Sequence, residues 1–195
     1  MVTSNKIWWT RKARIHTEKR LLANDFQSQV ILLWYSFFGV SVSIYYLGFE
    51  SGASEQLKSV SWVVYSVLVL VMSGFVNGLS LRSRAALIKD CYESLDQLYY
   101  KSLSDGDQDH VFEEYQKILS LCENHTDDDF NRAVCESFLL HKTPYCKENG
   151  LSILPTRYHW FTLGWSIFKR FSFLSIIYLL PVFLFIALES YYECH

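Results

Sequence analysis

"WWTRKARIHTEKRLLANDFQSQVILLWYSFF", residues 8–38, begins as a basic, aromatic segment and then loses its charges altogether. Arg11, Lys12, Arg14, Lys19 and Arg20 stand in front of a run, Gln27 to Phe49, that contains no lysine, arginine, aspartate or glutamate. A removable secretory leader has a different form, with a short basic region, an apolar core of about 7 to 15 residues and a small-residue cleavage site. Here the basic region extends over residues 1–29, the apolar run continues from Val30 to Phe49, and no Ala-x-Ala follows. At 1.5 Å per residue, about 20 apolar residues match a hydrocarbon layer of roughly 30 Å.

Two further runs resemble the first. Val60 to Leu81 is equally free of charge, and Phe171 to Leu188 reaches spanning length with Pro181 inside it. Three such runs in 195 residues explain why half the chain is hydrophobic while the net charge is only −2. A soluble bundle could bury one of them, but three would need a larger domain than the remaining residues can build. The expected fold is an all-α integral membrane protein. Residues 1–29 form a basic amphipathic cytoplasmic helix, 30–81 a two-span transmembrane hairpin, 82–168 a cytoplasmic helical region, and 169–195 a C-terminal transmembrane segment with a short outer tail.

Lysine and arginine placement sets the expected orientation. Six of them lie in residues 1–29, the 50–59 loop has only Lys58 beside Glu50 and Glu55, and Arg82, Arg84 and Lys89 follow the second run. The positive-inside rule then puts the N-terminus and the middle region in the cytoplasm. Lys169 and Arg170 flank the third run on that side, and Glu189 and Glu193 emerge on the other. Proline lacks the N–H that the helix ladder needs and clashes with the preceding turn, so the third span is expected to bend near Leu180. That bend serves either as a packing feature or as the hinge of a movable plug.

In the middle region Leu81, Ala85, Ile88, Tyr92, Leu95 and Tyr99 recur at steps of four and three, which places them on one helical stripe. Ser104 to Asp109 reads as a loop, and Val111, Phe112, Tyr115, Ile118, Leu119 and Cys122 make a second amphipathic face. Thr126 and Asp129 have capping spacing and open a short helix carrying Phe130, Val134 and Phe138. The hairpin can pack on itself or against other copies. Ala85, Ile88, Tyr92, Leu95 and Tyr99 are the candidate oligomer seam.

The basic N-terminal segment also has two readings. Trp8, Trp9, Arg11, Arg14 and Arg20 either lie against an anionic membrane surface or a partner, or Arg11, Arg14 and Glu18 form an internal network with the middle region. In the spans, Ser66, Ser73 and Asn77 share a face at steps of seven and four and are candidates for helix packing or for wetting a pore, together with the small positions Ser36, Gly39, Ser41 and Ser43.

No enzyme signature is present: there is no phosphate-binding glycine pattern, no Gly-x-Ser-x-Gly and no His-Glu-x-x-His. Asp127, Asp128 and Asp129 point to different faces of a helix start and favour its positive end. Cys122 and His125 lack a second pair at zinc spacing, so no metal or cofactor is expected.

In the order of its features the chain resembles the small membrane effectors called SLATT-domain proteins. The resemblance rests on residues 7–38, on "NGLSLRSRAALIKDCYESLDQLYYK" (77–101), and on "YQKILSLCENHTDDDF" (115–130), which is similar to a segment of the branch associated with reverse transcriptases. It implies an anti-phage defence effector that oligomerises in the bacterial inner membrane and permeabilises it on activation, causing growth arrest or abortive infection. It also implies a sensor partner, either a reverse transcriptase with retron DNA or another defence-system sensor; direct nucleic-acid binding is not expected. The third span departs from the simplest two-span plan of that family. A non-conducting membrane anchor or adaptor is the alternative; a small transporter would show internal symmetry and a midplane site.

Overall fold

The computed structural model describes residues 4–49, 55–104, 108–140 and 153–193, and every regular element among them is an α-helix. In chain order these are α1 (Ser4–Phe49), α2 (Glu55–Gly78), α3 (Leu81–Ser104), α4 (Gln108–Ser120), α5 (Asp127–Leu139) and α6 (Arg157–Glu193). Three helical stretches, Ser4–Tyr46, Val60–Ser104 and Arg157–Tyr191, each contain a segment long and apolar enough to cross a membrane.

The basic N-terminal segment and the first apolar run are one helix of 46 residues. No proline or glycine interrupts it before Gly39. At 1.5 Å per residue it is about 69 Å long, roughly twice what a bilayer core needs. The second apolar run and the amphipathic stripe, by contrast, are separate helices. α2 ends at Gly78, Ser80 N–H donates to Asn77 O at 3.2 Å, and Ser80 sits in the left-handed region with φ of 48°. Such a conformation costs a non-glycine residue about 1–2 kcal/mol and stops helix propagation.

The chain divides into two compact units. One comprises Met1–Asn24 and Leu81–Phe168; the other comprises Asp25–Ser80 and Lys169–His195.

The first unit has an ordinary hydrophobic core. Ile7, Trp8 and Trp9 of α1 pack with Cys91, Leu95, Leu98 and Tyr99 of α3, with Val111, Tyr115 and Ile118 of α4, and with Val134 of α5. Leu21, Ala85 and Ile88 form a smaller cluster beside Tyr92. The start of α5 is a capping box. Thr126 Oγ1 accepts from Asp129 N–H, and the Asp129 carboxylate accepts from Thr126 N–H, so two otherwise orphaned donors are satisfied reciprocally.

The second unit has the opposite character. Leu33, Leu70 and Phe171 are more than 70 % exposed, as befits faces solvated by lipid tails. Its interior is aromatic. Phe38 of α1, Trp62 of α2 and Phe185 of α6 form a triangle with ring centroids 6.1 to 6.4 Å apart, inside the range where edge-to-face and tilted ring pairs attract.

Candidate functional site

Within the membrane unit, α6 stays helical through Pro181, whose side chain is fully buried. Proline cannot donate to the carbonyl four residues back, so Ile177 O loses its helical partner. In hydrocarbon no water replaces that partner, and a neighbouring helix must supply one. Two adjacent side chains of α1 do so. Tyr35 hydroxyl donates to Ile177 O at 2.9 Å, and Trp34 Nε1–H donates to Tyr178 O at 3.0 Å. Further bonds join the same two helices: Tyr178 hydroxyl donates to Gln27 Oε1 at 3.2 Å, and Tyr46 hydroxyl donates to a Glu189 carboxylate oxygen. Together they form an α1–α6 clasp centred on the proline. Tyr35 also fixes α2, because Tyr65 stacks on it at 6.1 Å and donates its hydroxyl to Tyr35 O at 3.2 Å.

Beside Tyr35 and Tyr65 a groove of about 410 Å³ opens between α1 and α2, lined by Ser36, Gly39, Ser43 and Ser66. A Cβ at position 39 would come within 3.3 Å of the Tyr65 ring, so a glycine allows this approach. The serine hydroxyls bond back to their own helices, Ser36 to Leu32 O, Ser43 to Gly39 O and Ser66 to Trp62 O, at 2.8 to 2.9 Å. Self-satisfied hydroxyls of this kind are tolerated in lipid. Of the three candidate pore or packing positions, the structure thus brings Ser66 to this groove. Ser73 is half-buried and Asn77 exposed, and neither lines it.

The N-terminal candidates make their contacts within the first unit. Trp8, Trp9 and Arg14 are 6 %, 4 % and 1 % exposed and belong to the interior of the first unit, so lipid and partner contact through them is corrected to internal packing. Aromatic and guanidinium groups next to a membrane segment read equally well as headgroup anchors; only the amphipathic helices downstream supply the core that covers them. Arg11 pairs with Asp96 at 3.0 Å. Arg20 makes a bidentate contact with Asp129, Nε to Oδ1 at 3.0 Å and Nη2 to Oδ2 at 3.0 Å, while Thr17 donates to the same carboxylate at 3.0 Å. The internal-network reading of Arg11 and Arg14 therefore describes this unit. Its strongest junction, Arg20 with Asp129, is not marked in the sequence, where Asp129 stands out only for its capping spacing from Thr126.

The proposed oligomer seam is corrected for the same reason. Ala85, Ile88, Leu95 and Tyr99 are at most 5 % exposed within a single chain, and Tyr92 is half-buried. Their partners are Trp8, Trp9 and Leu21 of α1 together with α4, so the stripe is an intramolecular seam.

Electrostatics in the first unit follow burial. For Asp129, burial opposes the charge, but hydrogen bonds from Arg20 and Thr126 outweigh it and hold the carboxyl below its ordinary value of 3.8. His16 is held below 6.5 chiefly by burial; the Glu136 carboxylate opposes this, while Lys19 and Arg132 reinforce it. A cleft of about 500 Å³ in this unit is lined by Trp9, Thr10, Tyr115, His125 and Phe130. Its residues come from three separate stretches of chain, so no local motif announced it. Among the described residues no group of three or more His, Cys, Asp or Glu is placed to hold a metal ion.

No curated protein and no solved structure matches the chain. A family model described as SMODS and SLOG-associating 2TM effector domain family 5 matches residues 2–188. The matched region runs through the clasp and into the end of α6, so the third apolar helix lies inside the family region even though the description counts two spans. With nearly the whole chain matched and three apolar helices present, the protein belongs to SMODS and SLOG-associating 2TM effector domain family 5 and is a membrane effector of a defence-type system.

Proposed function

We propose that this protein is an anti-phage effector that oligomerises in the bacterial inner membrane and, when triggered, permeabilises it, arresting growth or killing the infected cell. The observation that carries this reading is the Phe38–Trp62–Phe185 junction. Three rings fill the space among the three apolar helices, so a pathway built from this packing runs between chains and not through one. Several copies are then required, because a lone apolar helix bundle offers ions no polar route. Asn77 supports the same conclusion. It is an exposed amide near the end of an apolar helix, and a second copy gives it a partner that lipid cannot.

The N-terminus and the middle region are placed in the cytoplasm. The distribution of lysine and arginine supports this, as does the membership of Met1–Asn24 and Leu81–Phe168 in one compact unit. The trigger is contact with a sensor partner, either a reverse transcriptase carrying retron DNA or another defence-system sensor, received by that unit.

Asn77→Leu tests the intersubunit reading. Membrane depolarisation after induction is expected to slow about tenfold, the effect of a loss of roughly 1.4 kcal/mol from the open assembly, while membrane insertion and oligomer size stay unchanged. Depolarisation at the wild-type rate removes Asn77 from the pathway. A non-conducting anchor that recruits a partner instead predicts growth arrest with no depolarisation in either protein.

A further inference from the structure

Arg14 is a fully buried cation in the first unit, at 1 % exposure. Its Nη1 donates to two sulfurs, Cys91 Sγ from α3 and Cys122 Sγ just beyond α4. Among the described residues no carboxylate forms an ion pair with it, and its Nε has no hydrogen-bond partner. A guanidinium removed from water without a counter-charge is strongly disfavoured. The groups within reach that can acquire a negative charge are the two thiols, both of which are free.

Two sulfurs that accept from one nitrogen are also neighbours of each other. Their surroundings differ. Cys91 is 3 % exposed and donates to Ile118 O at 3.5 Å, whereas Cys122 is half-buried and reachable from solvent. A thiolate held by a cation and open to small reactants is the reactive form of cysteine, and a second thiol beside it resolves the oxidised product.

We propose that Cys91 and Cys122 form a peroxide-reactive pair that closes to an intrachain disulfide, with the Arg14 guanidinium held against both sulfurs. In the first step the Cys122 sulfur attacks one oxygen of hydrogen peroxide and gives up its proton. An S–O bond forms, the O–O bond breaks, and the departing hydroxide takes a proton and leaves as water. In the second step Cys91 sulfur attacks the sulfenic sulfur, an S–S bond forms, the S–O bond breaks, and the hydroxyl leaves as water with the Cys91 proton. Two thiols and one peroxide thus become one disulfide and two waters, sulfur being oxidised and peroxide reduced. Burial first, then the hydrogen bond with Cys122, pushes the Cys91 thiol up to about 12 against the pull of Arg14. Greater exposure assigns attack to Cys122, and the buried Cys91 resolves the product. Cytosolic disulfides are characteristically transient and redox-sensing, and this pair supplies an oxidant input separate from the protein-contact trigger.

The test uses the full chain in mild detergent, exposed to hydrogen peroxide, quenched and digested with trypsin. The expected product is a reductant-reversible species linking the peptide of Cys91 with that of Cys122, while Cys135 stays alkylatable. Cys91→Ser is expected to leave a dimedone-reactive sulfenic acid at Cys122. Arg14→Gln is expected to slow oxidation about tenfold, with the charge-preserving Arg14→Lys close to wild type. Both thiols surviving peroxide, a bridge found only between chains, or equal oxidation rates in the Gln and Lys variants would overturn the proposal. If Arg14→Gln does not fold, the linked-peptide and dimedone results on the other two proteins decide it.

Discussion

A protein carrying Trp34→Phe and Tyr35→Phe together is expected to lose about 1–4 kcal/mol of stability in mild detergent, because two carbonyls of α6 lose their donors. Tyr35→Phe keeps its ring and isolates one hydrogen bond, whereas Trp34→Phe also gives up part of the indole packed on Phe37 and Phe38. Their worth is bounded on both sides. An orphaned buried carbonyl costs about 1–3 kcal/mol, but interhelical bonds in membranes average nearer 0.6 kcal/mol because the disassembled helices find other partners. The clasp hypothesis makes a sharper statement through Pro181. An alanine there restores the missing N–H, and Ile177 O regains its own helical bond. Tyr35→Phe is therefore expected to cost less in a Pro181→Ala background than in the native sequence, a coupling measurable by a double-mutant cycle. Equal costs in the two backgrounds would mean that Tyr35 does not serve the proline-released carbonyl at all.

The largest effect in the first unit is expected at Asp129. Asp129→Ala removes the acceptor of Arg20, Thr17 and Thr126 at once, and also half of the α5 capping box. Breaking a fully buried pair costs about 3–5 kcal/mol; with the Arg20 side chain 31 % exposed, solvent screening reduces this to roughly 2–3 kcal/mol. The pH profile separates this group from its neighbours. Asp129 has a folded pKa below 3.8, so its contribution is present above 3.8 and is lost as pH falls through the lower folded value. His16 and His125, also lowered in the folded state, chiefly by burial, contribute stability that is present above 6.5 and declines as pH falls below it. Thermal melts of the native chain should therefore weaken in two steps on acidification. Asp129→Ala should keep the first and lose the second. A variant that melts like the native chain at pH 7 would remove the Arg20–Asp129 junction from the account.

The all-helical, membrane-spanning character was legible because it depends on additive quantities. Charge-free length decided the three apolar helices, and the Thr126 to Asp129 spacing marked the cap that the structure contains. Where each amphipathic face turns was less accessible. The stripe from Ala85 to Tyr99 has a period that requires burial but does not name its partner, and the partner is Trp8, Trp9 and Leu21, some seventy residues earlier in the chain. The tryptophans were ambiguous for the same reason, since an amphipathic ring suits a headgroup layer as well as a protein core. Pro181 illustrates an intermediate case. Its need for a donor on an adjoining helix follows from covalent chemistry, yet nothing local to "WYS" at residues 34–36 identifies Trp34 and Tyr35 as those donors. The small residues beside them show the limit of spacing arguments. Ser66, Ser73 and Asn77 share a helical face, but Ser66 alone among them reaches the groove formed with α1.

Conductance of the purified full-length protein in liposomes, without and then with the proposed sensor partner, tests the central claim most directly, because it removes every other host component and reads the proposed activity itself. With the partner present, ion flux is expected to rise with the protein-to-lipid ratio more steeply than first order, since the filled junction of Phe38, Trp62 and Phe185 forces the pathway to lie between copies. Flux that rises linearly from the lowest ratio would place the pathway within a single chain. Liposomes that hold their ions at every ratio, with the protein shown to be inserted and the proposed sensor partner added, would contradict the account and leave a membrane anchor in its place.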